Sequence, residues 1–334
     1  FTLREDSMSD WTGVSTFNVI LETGLDNCNI YANGLNMIGV IINITPTDDE
    51  GNFVDIDDVT LNDNIKIVDY IDGSDIDGSD GWFYTGNPNE YNTIPNSQSY
   101  SLLKSENSQI TQIKRYVSCS NTSRLRTKSF SAKVTTTSGK VISITQNSIN
   151  SSRVVINAID ATNFTDDELR TTKETRFENQ SYTSHKSSTN SLYVHTWTIP
   201  RSLKLQNWRW EDYNNGWTWA QSCYYKTGAD GGSESTRWLA AGSIFPPGNY
   251  DGLWLDNDIA LSGMAHKSYN VDTGINQLSF TRIIGKGFSW VYNISGLDRG
   301  HAVIIIDQYG NKYRILFHAG YENSDPYLSS SIVY

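Results

Sequence analysis

A chain of 334 residues, 37% hydrophobic and 12% aromatic, is long enough for two domains with packed cores and too apolar to be disordered. Only 19% of it is charged, and 26 basic against 37 acidic residues give a formal net charge of −11, which repels nucleic-acid phosphates and anionic membrane surfaces alike. The longest apolar runs, such as Val303-Ile304-Ile305-Ile306, are strand-sized, far below the roughly 18 apolar residues of a membrane-spanning helix.

The first half alternates as strands do. Asn36-Met37-Ile38-Gly39-Val40-Ile41-Ile42-Asn43-Ile44 is apolar and β-branched, then breaks at Thr47-Asp48-Asp49-Glu50-Gly51-Asn52, where Gly51 and Asn52 suit the positive φ of a hairpin. Ile65-Lys66-Ile67-Val68-Asp69-Tyr70 has period two, and further strands are expected over 110–117, 128–135 and 141–145. The last two are joined by the short turn Thr136-Thr137-Ser138-Gly139. Residues 146–190 are more polar. Thr165-Asp166-Asp167-Glu168 reads as a capping box that opens a short helix to about residue 177. In the second half, 192–199 alternates, with Tyr193, His195 and Trp197 on one face. Trp208-Arg209-Trp210 and Trp217-Thr218-Trp219 are expected to pair through the hairpin loop 211–216. Val303–Ile306 should return through Gly310 to Tyr313-Arg314-Ile315-Leu316-Phe317.

The expected fold is therefore all-β: two antiparallel β-sandwich domains joined by a polar connector with a short helix. Residues 1–160 form the first sandwich, 161–190 the connector, and 191–334 a Trp-rich second sandwich.

Four constellations bear on function. Asp72, Asp75, Asp77 and Asp80, interleaved with Gly73, Gly78 and Gly81, have the carboxylate density that suits Ca²⁺, although the spacing is not that of an EF-hand. A solvated acidic turn is the alternative. Trp208, Trp210, Tyr213, Trp217 and Trp219 would make a flat aromatic platform for a sugar or lipid if exposed, or cross-strand core pairs if buried. The five histidines show no metal-binding spacing. Gly287-Phe288-Ser289-Trp290-Val291 lacks the second glycine of a nucleophile elbow, so no catalytic residue is assigned. Cys28, Cys119 and Cys223 lack CxxC spacing. A Cys28–Cys119 bridge across the first sandwich and buried free thiols both remain open.

Tyr31-Ala32-Asn33-Gly34, followed by Val40-Ile41-Ile42-Asn43-Ile44 and Asp49-Glu50-Gly51-Asn52-Phe53-Val54, resembles the opening of bacterial immunoglobulin-like domains of invasins and adhesins. Trp238-Leu239-Ala240-Ala241-Gly242-Ser243, with Asp307, Gly310 and Asn311 further on, is more faintly similar to aegerolysin-like sandwiches that bind membrane lipids. Both resemblances imply a secreted, host-facing bacterial protein.

The sequence-based expectation is an adhesin or toxin component that binds a cell-surface glycan, lipid or protein receptor without catalysis, with self-association open. The alternatives are a pore-forming toxin using the amphipathic segment 128–145, a structural fibre protein, and, less favoured, a glycan-active hydrolase. The first residue, Phe1, suggests a processed chain.

Overall fold

The computed structural model describes residues 10–91, 95, 109–165, 167–181, 189–211, 222–227, 238–254, 268–286, 302–318 and 326–333. The fold is all-β, of sandwich type. Two compact units divide between Ala161 and Thr162, with Tyr309–Asn311 counted in the first.

In the first unit the strands are β1 (Gly13–Leu21), β2 (Asn27–Tyr31), β3 (Met37–Thr47), β4 (Ile65–Asp69), β5 (Trp82–Thr85), β6 (Thr111–Cys119), β7 (Thr127–Thr135), β8 (Val141–Ser143) and β9 (Val154–Ile159). One sheet has the order β1-β3-β6-β5 and the other β2-β9-β7-β4, with β8 on β7. All pairings are antiparallel except β2 with β9. The alternation read from the sequence sends Ile38, Val40, Ile42 and Ile44 of β3 inward, against Phe130, Ala132 and Val134 of β7 and Val154 and Ile156 of β9, in one buried cluster. On the outer face of the same sheet, Asn43 Nδ2 donates to Asn18 Oδ1 at 2.8 Å and Gln112 Nε2 to Asn43 Oδ1 at 2.9 Å. This amide ladder crosses three strands.

The hairpin after β3 forms as expected. Asp48 Oδ1 accepts the amides of Glu50 and Asn52, and Gly51 takes φ +85°. The turn between β7 and β8 closes with Thr136 N donating to Lys140 O at 2.9 Å and Gly139 at φ +83°. A short helix, α1 (Asp58–Asn64), adds to what the sequence pattern announces. It is capped by Asp57, whose carboxylate accepts the Thr60 amide at 2.9 Å. At its other end buried Arg115 of β6 donates to Asn62 Oδ1 at 2.7 Å and Asn62 O at 2.6 Å, placing a cation where the helix presents free carbonyls.

In the second unit the strands are β10 (Arg170–Ser181), β11 (Thr189–Thr198), β12 (Leu205–Trp210), β13 (Ser222–Thr227), β14 (Trp238–Phe245), β15 (Gly248–Trp254), β16 (Ser268–Thr273), β17 (Gln277–Lys286), β18 (Ala302–Asp307), β19 (Lys312–His318) and β20 (Tyr327–Val333). A five-stranded sheet β10-β11-β17-β14-β13 faces a four-stranded sheet β12-β18-β19-β20. Their faces meet in an aromatic group. The Trp197 and Phe317 rings are edge-on at 5.8 Å, and Phe280 lies 6.1 Å from Phe317. The β18–β19 hairpin matches its sequence signal, turning at Gly310 with φ +80°.

The helix expected over 165–177 is replaced by β10. Its start signal is nonetheless satisfied locally: Glu168 Oε2 accepts the Thr165 amide at 2.9 Å and the Thr165 hydroxyl at 3.2 Å. No helix propagates from it, for two reasons. Thr171, Thr172 and Thr175 favour the extended chain, and β10 gains a ladder against β11. Glu168 is also held from outside the segment. Arg201 donates Nε to Oε1 at 2.9 Å and Nη2 to Oε2 at 2.8 Å, while its guanidinium lies 5.9 Å from the Phe164 ring. Arg201 and Ser202 accept positive φ, 59° and 55°, to reach this position. Phe164 in turn stacks on Tyr313 at 4.5 Å, so this stretch is part of the second unit's packing.

The Thr165 amide, followed by Arg201, holds the Glu168 carboxyl below the usual glutamate range. A folded-state pKa below the unfolded one stabilises above the unfolded value, and the contribution disappears as pH falls through the folded one. Glu168→Gln is therefore expected to lower the urea midpoint at pH 7, with the gap from wild type closing as pH drops below the glutamate range. A gap independent of pH would contradict the assignment.

Candidate binding surfaces

The acidic segment begins at the end of β4 and reaches β5. It is organised by its own backbone. Asp69 Oδ1 accepts the Ile71 amide at 2.8 Å, Asp72 Oδ1 the Ser74 amide at 2.8 Å, and Asp75 Oδ1 the Asp77 amide at 3.2 Å. Asp75 also pairs with Lys66 at 3.0 Å. Asp80 lies 4.0 Å from the buried Lys128 ammonium, which sits 3.2 Å from Asp69. Hydrogen bonds from Ser74 hold the Asp72 carboxyl low. At Asp75 partial burial is the largest influence and opposes ionisation, but the bond from Lys66, the Asp77 amide and the charges of Lys66 and Lys133 together outweigh it and lower the pKa.

Asp72, Asp75 and Asp80 are thus turned to separate local partners. Among the described residues, which include all four aspartates, no three His, Cys, Asp or Glu side chains are grouped to hold a metal ion. The carboxylates organise turns and ion pairs.

The same segment abuts a second loop. Gln146 N donates to Tyr70 O at 2.9 Å, and the Arg153 guanidinium lies 5.2 Å from the Tyr70 ring. That second loop, 145–152, is fastened at its base. Ser131 Oγ bonds Ile144 O and Ser152 O, both at 2.8 Å, Val19 N donates to Ser152 Oγ at 3.1 Å, and the Ser148 hydroxyl bonds Thr145 O. Each loop carries an isoleucine at its tip. Ile71 is 64% exposed and Ile149 is 102% exposed. Nothing in the sequence singles these two residues out, because a lone aliphatic residue in a polar turn has no periodicity to mark it.

Of the expected aromatic platform, Trp208 and Trp210 lie on β12, where register sets them opposite Ile305 and Val303. Both partners are fully buried and Trp208 is half-buried, so Trp208 shares the core-facing side of its sheet. Tyr213, Trp217 and Trp219 lie outside the described residues, as does the hairpin expected to join them to β12. On the opposite face of the sheet, Arg314 of β19 donates Nε to Glu211 Oε2 at 2.6 Å, and this bond holds the Glu211 carboxyl low.

His195 is fully buried on β11 and stacks on Trp197 at 6.1 Å, a core position. His185, His266 and His301 lie outside the described residues. Cys28 and Cys119 are free and buried. Burial, with Glu22 nearby, pushes the Cys28 thiol up to about 12, and burial also raises Cys119.

The segment 128–145 nominated as a membrane hairpin coincides with β7 and β8. β7 pairs with β4, β8 and β9, and buries Phe130, Ala132 and Val134 completely. Its alternation places one face of β7 in the core of the first sandwich.

No protein-family model matches the chain, and no curated protein is found to match it.

Gly81 closes the acidic segment at φ +80°, where an added Cβ would stand 2.5 Å from Ser120 Oγ and 3.0 Å from Ser123 N. Gly81→Ala should lower stability by about 1–3 kcal/mol in urea denaturation. A neutral effect would mean that the loop is not fixed as described. In the native protein neither Cys28 nor Cys119 should be alkylated by iodoacetamide at pH 8, and both should label on unfolding, as read by peptide mass spectrometry.

Proposed function

We propose that the protein is a non-catalytic recognition protein that docks on a cell-surface component through preformed loops of its first sandwich. The observation that carries this reading is the pair of exposed isoleucines, Ile71 and Ile149, on two fastened loops whose hydrogen bonds make no use of either side chain. A mainly exposed apolar group on a hydrogen-bonded loop contributes little to folding, and its backbone loses little conformational freedom on binding. Secretion, and a role in attachment as an adhesin or as the targeting part of a toxin, belong to the same reading.

A general acid needs a raised carboxyl pKa. The Asp and Glu residues described with a shift, including Asp48, Asp57, Asp72, Asp75, Glu168 and Glu211, are all lowered, each with structural hydrogen bonds as a cause. That pattern favours recognition over acid–base chemistry.

The test is binding of the fluorescently labelled protein to intact cells, followed by recovery of the bound fraction. Saturable binding, reversed by excess unlabelled protein with the cell-surface material chemically unchanged, is the expected result. Release of cleaved glycan or lipid during the incubation would overturn it in favour of a hydrolase.

A further inference from the structure

We infer that the loop pair 70–73 and 145–152 is a lipid-contact site that seats Ile71 and Ile149 in the interfacial region of a zwitterionic bilayer. The inference rests on the recognition reading above and names its ligand.

The occupant follows from area and charge. A stable protein–protein contact needs about 800 Å² from each partner with a packed centre. These tips offer two aliphatic side chains projecting from polar turns, Ile71-Asp72-Gly73 on one side and Asn147-Ser148-Ile149-Asn150-Ser151 on the other. Separate projecting points fit poorly on a flat protein surface. A bilayer closes around them, because its interface accepts apolar groups to a depth of several ångströms.

The loops are already ordered for this. Gln146 N to Tyr70 O joins them, and a Cβ added at Gly73, which takes φ +74°, would lie 3.4 Å from the Thr145 methyl. The two loops are therefore tied to each other through their backbones.

Charge selects the lipid. Exposed Asp72 adjoins Ile71, and Asp77 is exposed on the same segment. Their carboxylates repel anionic head groups and attract the quaternary ammonium that phosphatidylcholine presents outermost. The neighbouring cations are engaged within the fold. Lys66 binds Asp75, Lys128 binds Asp69, Arg153 covers the Tyr70 ring, and Lys133 Nζ reaches Gly73 O at 3.4 Å.

The test is co-sedimentation of the intact protein with phosphatidylcholine vesicles, and with vesicles in which part of the lipid is phosphatidylglycerol. Binding to phosphatidylcholine is expected, weakened by phosphatidylglycerol at low salt. Ile149→Asp and Ile71→Asp should each reduce the partition coefficient roughly tenfold or more. Both variants should stay within a few degrees of the wild-type thermal midpoint, since both side chains are mainly exposed. Three results would each overturn the inference: no partition into phosphatidylcholine, stronger partition with phosphatidylglycerol, or a double variant that binds as wild type does. A concentration-dependent dimer abolished by Ile149→Asp, without vesicle binding, would instead assign the tips to a second copy of the chain. Cells that bind the protein while vesicles do not would sink the lipid inference and leave the recognition reading standing.

Discussion

The first unit depends on β3. It is the strand that must satisfy two sheet partners and two buried faces at once. Ile38, Val40, Ile42 and Ile44 are buried without exception, and Met37, Ile41 and Thr45 on the other face are also buried. Its backbone ladder runs to β1 on one side and β6 on the other. A slip of one residue would send the four inward aliphatics outward and break the Asn18–Asn43–Gln112 ladder in the same step. Gly39 belongs to the same constraint. The Glu22 carboxylate and the Lys114 stem close over its Cα, where a Cβ would approach Lys114 Cε at 2.4 Å, and Glu22 Oε1 accepts the Gly39 amide at 2.8 Å. An ion pair 2.5 Å long thereby spans the outer face of the sheet.

Register fixed in this way explains what can be read from residues alone. Where one face is buried, hydrophobic alternation and turn chemistry agree, and β3, β4, β6, β7, β8 and the β18–β19 hairpin lie close to where the pattern puts them. Segment 165–181 fails differently. Glu168 accepts the Thr165 amide as in a capping box, while its own amide turns to the Thr165 carbonyl, so half of the local signal is realised. What sequence does not supply is Arg201, more than thirty residues further on, which takes the same carboxylate, and the β11 edge that offers the chain a ladder. Local propensity loses to a tertiary partner. Helix α1 escapes the sequence pattern for the reverse reason. Leu61 is its only buried residue, too little apolar periodicity to register, and its support comes from Asp57 and distant Arg115.

The candidate surfaces are legible only in part, for a related reason. Carboxylate density identifies the acidic segment but not its use, because a row of Asp residues reads alike whether it faces a cation or its own backbone amides. In the fold these carboxylates meet the amides of Ile71, Ser74 and Asp77 and the ammonium groups of Lys66 and Lys128, and the lysines come from strands the local spacing does not reveal. At Trp208 the sequence leaves both platform and core open. Pairing with Ile305 places the indole on the side of the sheet where Val303 and Ile305 of β18 are fully buried.

A division of labour runs through the first sandwich. Its polar side chains hold loops: Ser131 and Ser152 fasten 145–152, Asp69 and Asp72 fasten 70–74, and Lys128 ties the acidic segment to β7. Most of its large apolar side chains fill the core; Ile71 and Ile149 are exposed at adjoining loop tips, as Leu25, Phe53, Val59, Phe83, Leu125 and Val141 are elsewhere on its surface. Loops built by polar anchors need no aliphatic residue for their own stability, so an isoleucine at such a tip is free of the packing constraints that govern Ile38 or Ile42. The same anchors remove most of the ordering entropy that binding would otherwise have to overcome. Stability and exposure are therefore carried by different side chains: substitutions in the serine and aspartate anchors break hydrogen bonds that fix the loops, whereas substitutions at the two tips leave those bonds in place.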